Sequence, residues 1–342
     1  MPSHAGKQTA SDRRVPRLDG RLPAGPAIEV AGLTKSFGPV QVLRGVEFQV
    51  RRGSVFSLLG PNGAGKTTIV RILSTLARAD AGRVRVVGCD VVTQAHQVRR
   101  NISLTGQYAA IDELQTGAET LRMMGRLWGL RGEEARRRSA ELLAQFGLAG
   151  AGRRQVRHYS GGMRRRLDLA ASLVSRPAVI FLDEPTTGLD VRSRQTMWEA
   201  VKRLATDGST IFLTTQYLEE ADQLAQQVAI LDGGRIVAAG TPAELKARVG
   251  AERLELVLAG EAAFDAVAQR LGRRVLTADR AQLTIEVETD GTGRQARALL
   301  DESDPGRRAV RHFALRSPTL DDVFLALTGH AARRADQETA DA

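Results

Sequence analysis

The sequence is poor in cysteine and lacks long apolar runs. Cys89 is the only cysteine among 342 residues, so neither an intrachain disulfide nor a cysteine-based zinc site can form. The longest apolar runs, such as residues 178–182, are far too short to cross a bilayer. The first residues are polar and charged, without the apolar segment of a signal peptide. These features predict a cytosolic protein without membrane spans of its own.

Lysine is also scarce, and arginine supplies most of the positive charge. Lysine and arginine together number 49 against 39 acidic residues, which gives a net charge of +10. Such a charge would suit a nucleic acid or an anionic membrane surface. The general use of arginine is the simpler source, so the charge alone decides nothing. The length and the 42% hydrophobic content suffice for one large or two ordinary domains.

A glycine-rich segment connects a predicted strand to a predicted helix. It follows the apolar, β-prone residues 54–59 and precedes a helical pattern. Its glycines let the backbone N–H groups point inward, and the next helix adds its positive N-terminal dipole. We expect Lys66 to reach the β- and γ-phosphates of a nucleotide and the Thr67 hydroxyl to bind Mg²⁺. The predicted nucleotide-binding loop consists of Gly60, Pro61, Asn62, Gly63, Ala64, Gly65, Lys66, Thr67 and Thr68.

Two acidic residues end another apolar strand. Residues 178–182 are apolar throughout, as in strands buried on both faces of a parallel sheet, and Asp183 and Glu184 follow directly. Ligands of such sheets collect at the carboxyl ends of the strands. We expect Asp183 to hold Mg²⁺, directly or through water, and Glu184 to accept a proton from the water that attacks the γ-phosphate. A further buried strand over residues 209–215 ends at Gln216.

The residues before the glycine-rich loop predict an antiparallel β layer. Residues 1–26 have no periodicity and are expected to form a disordered tail. Phe37 is a candidate to stack on adenine. The residue by itself is equally consistent with a core residue at the end of a strand. The strands of the layer are predicted at residues 28–30, 40–43, 46–50 and 82–87.

A helical subdomain is predicted at about residues 108–176. Two amphipathic helices are expected at residues 118–130 and 133–148. A buried stripe on the first is predicted from Leu121, Met124, Leu127 and Trp128. A third helix follows Tyr159-Ser-Gly-Gly-Met, with Ser160 as N-cap and two glycines that leave the first amides accessible. Such a helix start is weak evidence by itself.

The end of the sequence predicts a separate small domain. A hairpin around residues 232–234 and a capped helix that ends near residue 249 complete the first domain. The order strand, helix, strand, strand, helix, strand over residues 253–315 indicates a ferredoxin-like α+β fold. A last amphipathic helix begins near Ser317 and is expected to dock on its own domain or on a partner. Residues 329–342 form a predicted polar tail.

The order and spacing of the motifs resemble the ATP-binding subunits of ABC transporters. The resemblance covers about residues 27–249 and implies an α/β P-loop fold with an antiparallel β layer and a helical subdomain, followed by an accessory α+β domain at 251–328. Residues 159–169, 214–221 and 320–324 are similar to drug-exporter ATPases of the daunorubicin- and doxorubicin-resistance type. The motifs that carry the resemblance are Phe37, residues 60–68, Gln107, residues 159–163, Asp183, Glu184, residues 188–190 and Gln216.

The resemblance implies a role for each matched position. Gln107 would sense Mg²⁺ and the membrane subunit, and Gln216 would act at the switch position, which usually holds histidine. In a homodimer, the ATP of one copy would be completed by the second copy. Asp190 would lie at that dimer interface. The residues that would contact the γ-phosphate of the second copy's ATP are Ser160, Gly161 and Gly162.

The implied function is the ATP-hydrolysing subunit of a multidrug or antibiotic exporter. Such a subunit would dock on a separate permease at the cytoplasmic face of the cell membrane, touch the membrane only through it, and need no nucleic acid. One alternative is the ATPase of an ABC importer. Another is a soluble ABC ATPase that acts on nucleic acid, although the sequence lacks the zinc-binding cysteines and long coiled-coil insertions common in that class. Met163 and Tyr159 depart from the commoner glutamine and leucine at their positions.

Overall fold

The computed structural model describes residues 25–106, 111–250 and 252–327, which fall into two compact units. The first unit contains the described residues up to Gln216 together with Gly233–Ile236. The second contains Tyr217–Asp232 and the described residues from Val237 onward. Gln107 and all but two residues of the predicted tails lie outside the described residues, and the predicted domain boundary at residues 249–251 stays a prediction.

The first unit contains an antiparallel sheet and a set of parallel strands. Its strands are β1 (Ile28–Phe37), β2 (Val40–Val50), β3 (Val55–Leu59), β4 (Ala81–Val86), β5 (Cys89–Asp90), β6 (Ile102–Thr105), β7 (Val179–Asp183) and β8 (Thr210–Thr215). Its helices are α1 (Lys66–Leu73), α2 (Ala95–Asn101), α3 (Gly117–Leu127), α4 (Gly132–Gln145), α5 (Gly161–Ser172) and α6 (Val191–Thr206). The antiparallel sheet has the order β2-β1-β4-β5, and the parallel strands have the order β3-β8-β7-β6.

The antiparallel strands are longer than the sequence pattern predicts. β1 continues through Gly32 to Phe37, and the segments predicted at residues 40–43 and 46–50 form the single strand β2. Irregular register between β1 and β2 occurs around Gly32, whose φ is 61°. A bulge changes which face a side chain occupies while the chain stays paired, so strict alternation breaks although the strand does not.

A stack of phenylalanine rings connects the two layers of the first unit. Phe48 of β2 lies 5.2 Å from Phe56 of β3, and Phe56 lies 5.4 Å from Phe212 of β8. Phe181 of β7 lies 5.6 Å from Phe212. Strands β3, β7 and β8 are buried throughout. The aromatic packing therefore fixes the three strands whose carboxyl ends carry the predicted site residues.

Helices α3, α4 and α5 lie in the helical subdomain, and one prediction about them is wrong. Leu121 is buried as expected, but Leu127 is 74% exposed. The buried side of α3 includes Gly125, where an added Cβ would lie 3.1 Å from the Cβ of Ala135 on α4. Small residues let these helices approach closely at that point, so the contact face is rotated away from Leu127.

The second unit contains a ferredoxin-like sheet. This antiparallel sheet consists of β11 (Glu252–Leu258), β12 (Val275–Asp279), β13 (Thr284–Thr289) and β14 (Val310–Arg316). The second unit also contains β9 (Gln227–Asp232) and the part of β10 (Arg235–Gly240) from Val237 onward. Its helices are α7 (Leu218–Leu224), α8 (Pro242–Ala247), α9 (Glu261–Leu271), α10 (Gly293–Ser303) and a last helix described over residues 320–327. The antiparallel sheet order β12-β13-β11-β14 is that of a βαββαβ fold, and the predicted fold class is confirmed.

The last described helix is partly buried. Leu320 and Val323 are almost fully buried, whereas Leu325 is 68% exposed. Leu320 and Val323, on the apolar side of the last predicted amphipathic helix, are therefore covered by this chain. Over the described ranges, none of the helices combines the length and the apolar character needed to cross a membrane.

Candidate active site

A polar cleft of about 370 Å³ lies in the first unit, at the carboxyl ends of strands β3, β7 and β8. It brings together several residues that the sequence analysis selected from separate segments. The cleft is lined by Val42, Asn62, Gly63, Gly65, Lys66, Thr67, Thr68, Asp183, Glu184, Thr187 and Gln216.

The glycine-rich loop bends into the start of helix α1. Gly63 and Gly65 have φ values of 84° and 107°, a conformation that favours glycine. Gly65 also has no room for a side chain, because an added Cβ would lie 2.7 Å from a methyl group of Leu43. Gly60 instead continues the sheet, and its amide donates to the carbonyl of Thr215 over 3.2 Å. The bend leaves the loop and the N-terminus of α1 facing the cleft.

The Lys66 ammonium group is held by three oxygen atoms. It donates to the carbonyls of Gly60 and Pro61 over 2.8 and 3.0 Å and forms an ion pair with Glu184 over 3.3 Å. Lys66 is only 4% exposed, so its charge needs these partners. Phosphate oxygens could replace them, because an ammonium group requires acceptors of either kind.

Asp183 is fixed by two hydroxyl groups. Its Oδ1 accepts a 2.5 Å hydrogen bond from Thr214 Oγ1 and a 3.4 Å hydrogen bond from Thr67 Oγ1. Thr214 is fully buried at the end of β8. The arrangement gathers a carboxylate and two hydroxyl oxygens at one edge of the cleft. Thr214 was not selected from the sequence, because it lies within an apolar strand whose alternation gives no sign of a polar contact.

The backbone of Glu184 adopts an unusual conformation. Its φ is 48°, in the left-handed region that residues other than glycine rarely occupy. Its amide donates over 3.1 Å to both the carbonyl and the hydroxyl oxygen of Thr214. Its carboxylate accepts from Thr187 Oγ1 over 3.4 Å. Residues held in such a conformation by their surroundings cluster at functional sites.

Gln216 and Phe37 differ in their distance from the cleft. Gln216 lines the cleft directly after β8. Phe37 ends β1 with 55% exposure and does not line the cleft, and the ammonium of Lys35 lies 5.3 Å from its ring. The alternative prediction of a core residue at position 37 is therefore wrong. Val42, which the sequence analysis did not select, lines the cleft instead.

The Ser-Gly-Gly segment lies away from this cleft. Ser160 caps helix α5 by accepting from the amide of Met163 over 3.2 Å, and Ser160 and Gly161 are exposed. Gly162 is buried against Ser193 of α6, where an added Cβ would lie 2.4 Å from the Ser193 hydroxyl. Nothing in the described first unit brings this helix tip to the nucleotide loop.

Asp190 caps helix α6. Its two carboxylate oxygens accept from the amide and the hydroxyl of Ser193 over 3.0 and 2.7 Å. Both hydrogen bonds lower the pKa of Asp190, and the one from the Ser193 hydroxyl has the larger effect. Ser193 therefore touches both the cap of α6 and the start of α5.

Comparisons with known proteins agree with this geometry. The protein family described as "ABC transporter" matches residues 43–187, and the family "ATP-binding protein DrrA1-3-like, C-terminal domain" matches residues 240–328. The "Daunorubicin resistance ATP-binding protein DrrA2" of Streptomyces coeruleorubidus is 49% identical and covers 92% of this chain and 99% of its own length. The chain belongs to the ATP-binding subunits of ABC transporters. The predicted resemblance is confirmed, and this ABC subunit binds and hydrolyses ATP.

Further relatives and solved structures agree with the assignment. The "Doxorubicin resistance ATP-binding protein DrrA" of Mycobacterium tuberculosis is 48% identical over 88% of this ABC subunit and 93% of its own length. A solved ATP-binding subunit of an ABC transporter superposes with a TM-score of 0.58 at 28% identity and covers 65% of this chain and 92% of its own. A dimeric ATP-binding cassette with ADP and phosphate has the same fold, with a TM-score of 0.57 at 24% identity, over 63% of this chain and 98% of its own.

Proposed function

We propose that this ABC subunit powers a multidrug or antibiotic exporter by closing as a homodimer on ATP and driving a separate membrane permease. The observation that carries the proposal is the cleft, where the glycine-rich loop, Lys66, Asp183, Glu184 and Gln216 meet. The names of the relatives in Streptomyces and Mycobacterium support a drug as the exported compound. The subunit would lie at the cytoplasmic face of the cell membrane and contact the membrane through the permease.

The loop from Gly60 to Thr68 binds the phosphates of ATP in this proposal. Its backbone amides and the N-terminus of α1 offer donors and partial positive charge to an anion. Lys66 exchanges the carbonyls of Gly60 and Pro61 for phosphate oxygens. Phe37 stacks on adenine, which its exposed ring at the end of β1 permits.

The residues at the edge of the cleft fit Mg²⁺. Mg²⁺ prefers oxygen ligands and binds through one or two protein groups plus phosphates and water. Thr67 and Asp183 supply a hydroxyl and a carboxylate with oxygens 3.4 Å apart. Among the described residues, no group of three or more histidine, cysteine or acidic side chains could hold a metal ion. When bound, Mg²⁺ neutralises charge on the phosphates, and Gln107 is the proposed further ligand outside the described residues.

Glu184 is the proposed general base. The attacking water forms a bond to the γ-phosphorus and loses a proton to the Glu184 carboxylate, while the bond between the γ-phosphorus and the bridging oxygen of ADP breaks. Gln216 orients that water through its side-chain amide, and Lys66 stabilises charge on the phosphates. The ion pair of Lys66 with Glu184 supports this assignment, because it places both side chains close enough together to contact the same phosphate group.

The second half of each ATP site comes from the other copy of the chain. Ser160 and Gly161 are exposed at the N-terminus of α5 and Gly162 follows them, and the amides of a helix N-terminus favour an anion. In the proposed homodimer they contact the γ-phosphate held by the partner, and Asp190 lies at the interface. ATP therefore favours the closed dimer, and hydrolysis reopens it.

The variant Glu184→Gln tests the proposal. It keeps the shape of the side chain but cannot accept a proton, so ATP hydrolysis should slow at least about 100-fold. ATP binding should persist, and size-exclusion chromatography should show a dimer that depends on ATP. Glu199→Gln removes an exposed carboxylate from α6 and should leave all three readouts unchanged. Brisk hydrolysis by Glu184→Gln would mean that another group is the base.

The permease and the drug need their own measurement. Purification of the tagged chain from its native membranes should recover an integral membrane protein in a defined ratio. Co-expression of both proteins in a drug-sensitive host should lower drug accumulation. Co-expression of the membrane protein with the Glu184→Gln variant of this chain should not lower it. Recovery of the chain without a membrane partner, or equal accumulation in both cases, would contradict the exporter role.

A further inference from the structure

One arginine of helix α5 bonds to the backbone of three consecutive residues after β7. Arg165 Nε donates to the carbonyl of Pro185 over 3.0 Å, and its Nη2 donates to the carbonyls of Asp183 and Glu184, each over 3.3 Å. Its Nη1 donates to the carbonyl of Gly106. Four carbonyl oxygens from two separate segments therefore meet one guanidinium group.

The chemistry of this contact requires an arginine. A guanidinium group has N–H donors in a planar fork and no acceptor, so it can bind several carbonyls at once. Arg165 is only 8% exposed, and a buried charge is tolerated when it is fully hydrogen-bonded. The Oδ2 of Asp168 lies 3.8 Å from Nη1, which is beyond hydrogen-bond distance. Asp168 and Arg165 therefore form an ion pair, while the four carbonyls accept hydrogen bonds from the guanidinium.

The bonded residues include the proposed base and the residue next to the proposed glutamine sensor. Glu184 has a φ of 48°, so its backbone needs surrounding contacts to stay in place. Arg165 holds the carbonyls on both sides of the Glu184–Pro185 bond. Gly106 directly precedes Gln107. The same side chain thus bonds to the backbone that follows β7 and to Gly106, which ends the segment after β6.

Arg165 also belongs to the helix that carries the Ser-Gly-Gly tip. It follows Ser160 by five residues, about 7.5 Å along the axis of the same helix. Resting on the function proposed above, we propose that Arg165 is a positioning residue that ties the tip of α5 to the backbone of Glu184. A shift of α5 against the partner's ATP then moves Glu184 in its own cleft, which couples the two ATP sites.

Arg165→Gln and Arg165→Lys test the inference in the full chain. Arg165 does not line the cleft, so the KM for MgATP should stay within about twofold while kcat falls about 10- to 100-fold, the range that misplacement by an ångström produces. The lysine variant keeps a charge and three donors and should retain more kcat than the glutamine variant. The Hill coefficient for ATP should fall toward 1 in both, because the sites lose their connection.

A neighbouring arginine provides the matched control. Arg164 lies on the same helix but bonds to Glu113 over 2.7 Å and to the carbonyl of Arg157. Arg164→Gln should therefore leave kcat and the Hill coefficient unchanged. A purely structural role of Arg165 would instead lower the melting temperature and raise KM together, without a graded response of kcat to lysine and glutamine. That result, or wild-type kcat in Arg165→Gln, would overturn the inference.

The failure of this inference differs from a failure of the proposed function. If the assigned base were wrong, Glu184→Gln would hydrolyse ATP. If only the role of Arg165 were wrong, Glu184→Gln would stay inactive while Arg165→Gln retained its kcat and cooperativity. Should Arg165→Gln not fold, Arg165→Lys alone still decides, because an unchanged kcat and Hill coefficient in it would refute the coupling.

Discussion

Asp168 is a partly buried carboxylate whose titration should be visible in the stability of the first unit. It lies on α5, is 16% exposed, and its Oδ2 has no hydrogen-bond partner. Burial raises the pKa of Asp168 from 3.8 to about 6, although the nearby Arg165 lowers it. The desolvation of the carboxylate thus exceeds the attraction of an arginine that is already bonded to carbonyls. We expect Asp168→Asn to remove a pH-dependent loss in the free energy of unfolding, which arises when the buried carboxyl group ionises.

The size and sign of that cost follow from the two pKa values. A change from 3.8 to about 6 corresponds to about 3 kcal/mol, at about 1.4 kcal/mol for each pKa unit. Because the pKa is higher in the folded state, the folded protein holds the extra proton between pH 3.8 and about 6. Stability from this group is therefore highest below that window, falls as the pH rises through it, and is constant above it.

Urea denaturation at pH 4.5 to 7.5 measures the effect. The fluorescence of Trp128 and Trp198 reports on the first unit, since both tryptophans lie in it. The free energy of unfolding of Asp168→Asn, minus that of the wild type, should rise by about 2 kcal/mol across this range, because part of the window lies below pH 4.5. The rise should occur between pH 4.5 and about 6 and then stop.

Glu199→Gln is the control for a general effect of charge removal. Glu199 is 67% exposed and pairs with Arg203, and such surface pairs contribute less than about 1 kcal/mol. Its difference from the wild type should change little across the same pH range. A flat difference for Asp168→Asn would refute the reasoning, because it would mean that Asp168 has the same pKa in the folded and unfolded chain.

Two further predictions concern the cleft and the tip of α5. Gln216→His should keep much of the ATPase rate and Gln216→Ala should lose most of it, since only the alanine cannot hydrogen-bond the γ-phosphate or water; full activity of the alanine variant in a phosphate-release assay would remove Gln216 from the mechanism. Gly162→Ala should lower the melting temperature, because its Cβ would lie 2.4 Å from the Ser193 hydroxyl. Adding Ser193→Gly should restore part of that loss, and no restoration would contradict the contact.

The chemistry of the cleft is largely predictable from local sequence, for physical reasons. Gly63 and Gly65 adopt the left-handed backbone conformation, and a glycine-rich loop that leads into a helix presents backbone amides that can bind an anion. Asp183 and Glu184 end a strand that is buried throughout, and parallel strands bring their carboxyl ends to one edge. Anion binding by the glycine-rich loop and the common edge of the parallel strands suffice to predict that these segments, more than a hundred residues apart in sequence, form one site. The hydrophobic periodicity and the turn residues of the sequence likewise predict the order of strands and helices in the ferredoxin-like part of the second unit.

Contacts that depend on tertiary packing are not predictable in this way. Arg165 and Thr214 have no local pattern that distinguishes a backbone ligand from an ordinary helix arginine or a strand threonine. Leu127 fits a helical stripe, yet small residues on α3 move the contact face away from it. In each case the contacts of the residue depend on how another helix or strand packs against it. That packing cannot be derived from a single sequence.

The positive charge of the chain has a partly internal use. Arg138 donates to the carbonyl of Leu173, the C-cap of α5, over 2.9 Å. Arg166 donates to the carbonyl of Phe146, the C-cap of α4, also over 2.9 Å. A cation at a helix C-terminus satisfies a free carbonyl and opposes the negative end of the dipole. Burial lowers the pKa of both arginines, yet a guanidinium keeps its charge, so these positions demand arginine rather than lysine. Part of the net charge therefore serves the helical subdomain itself, without any external anion.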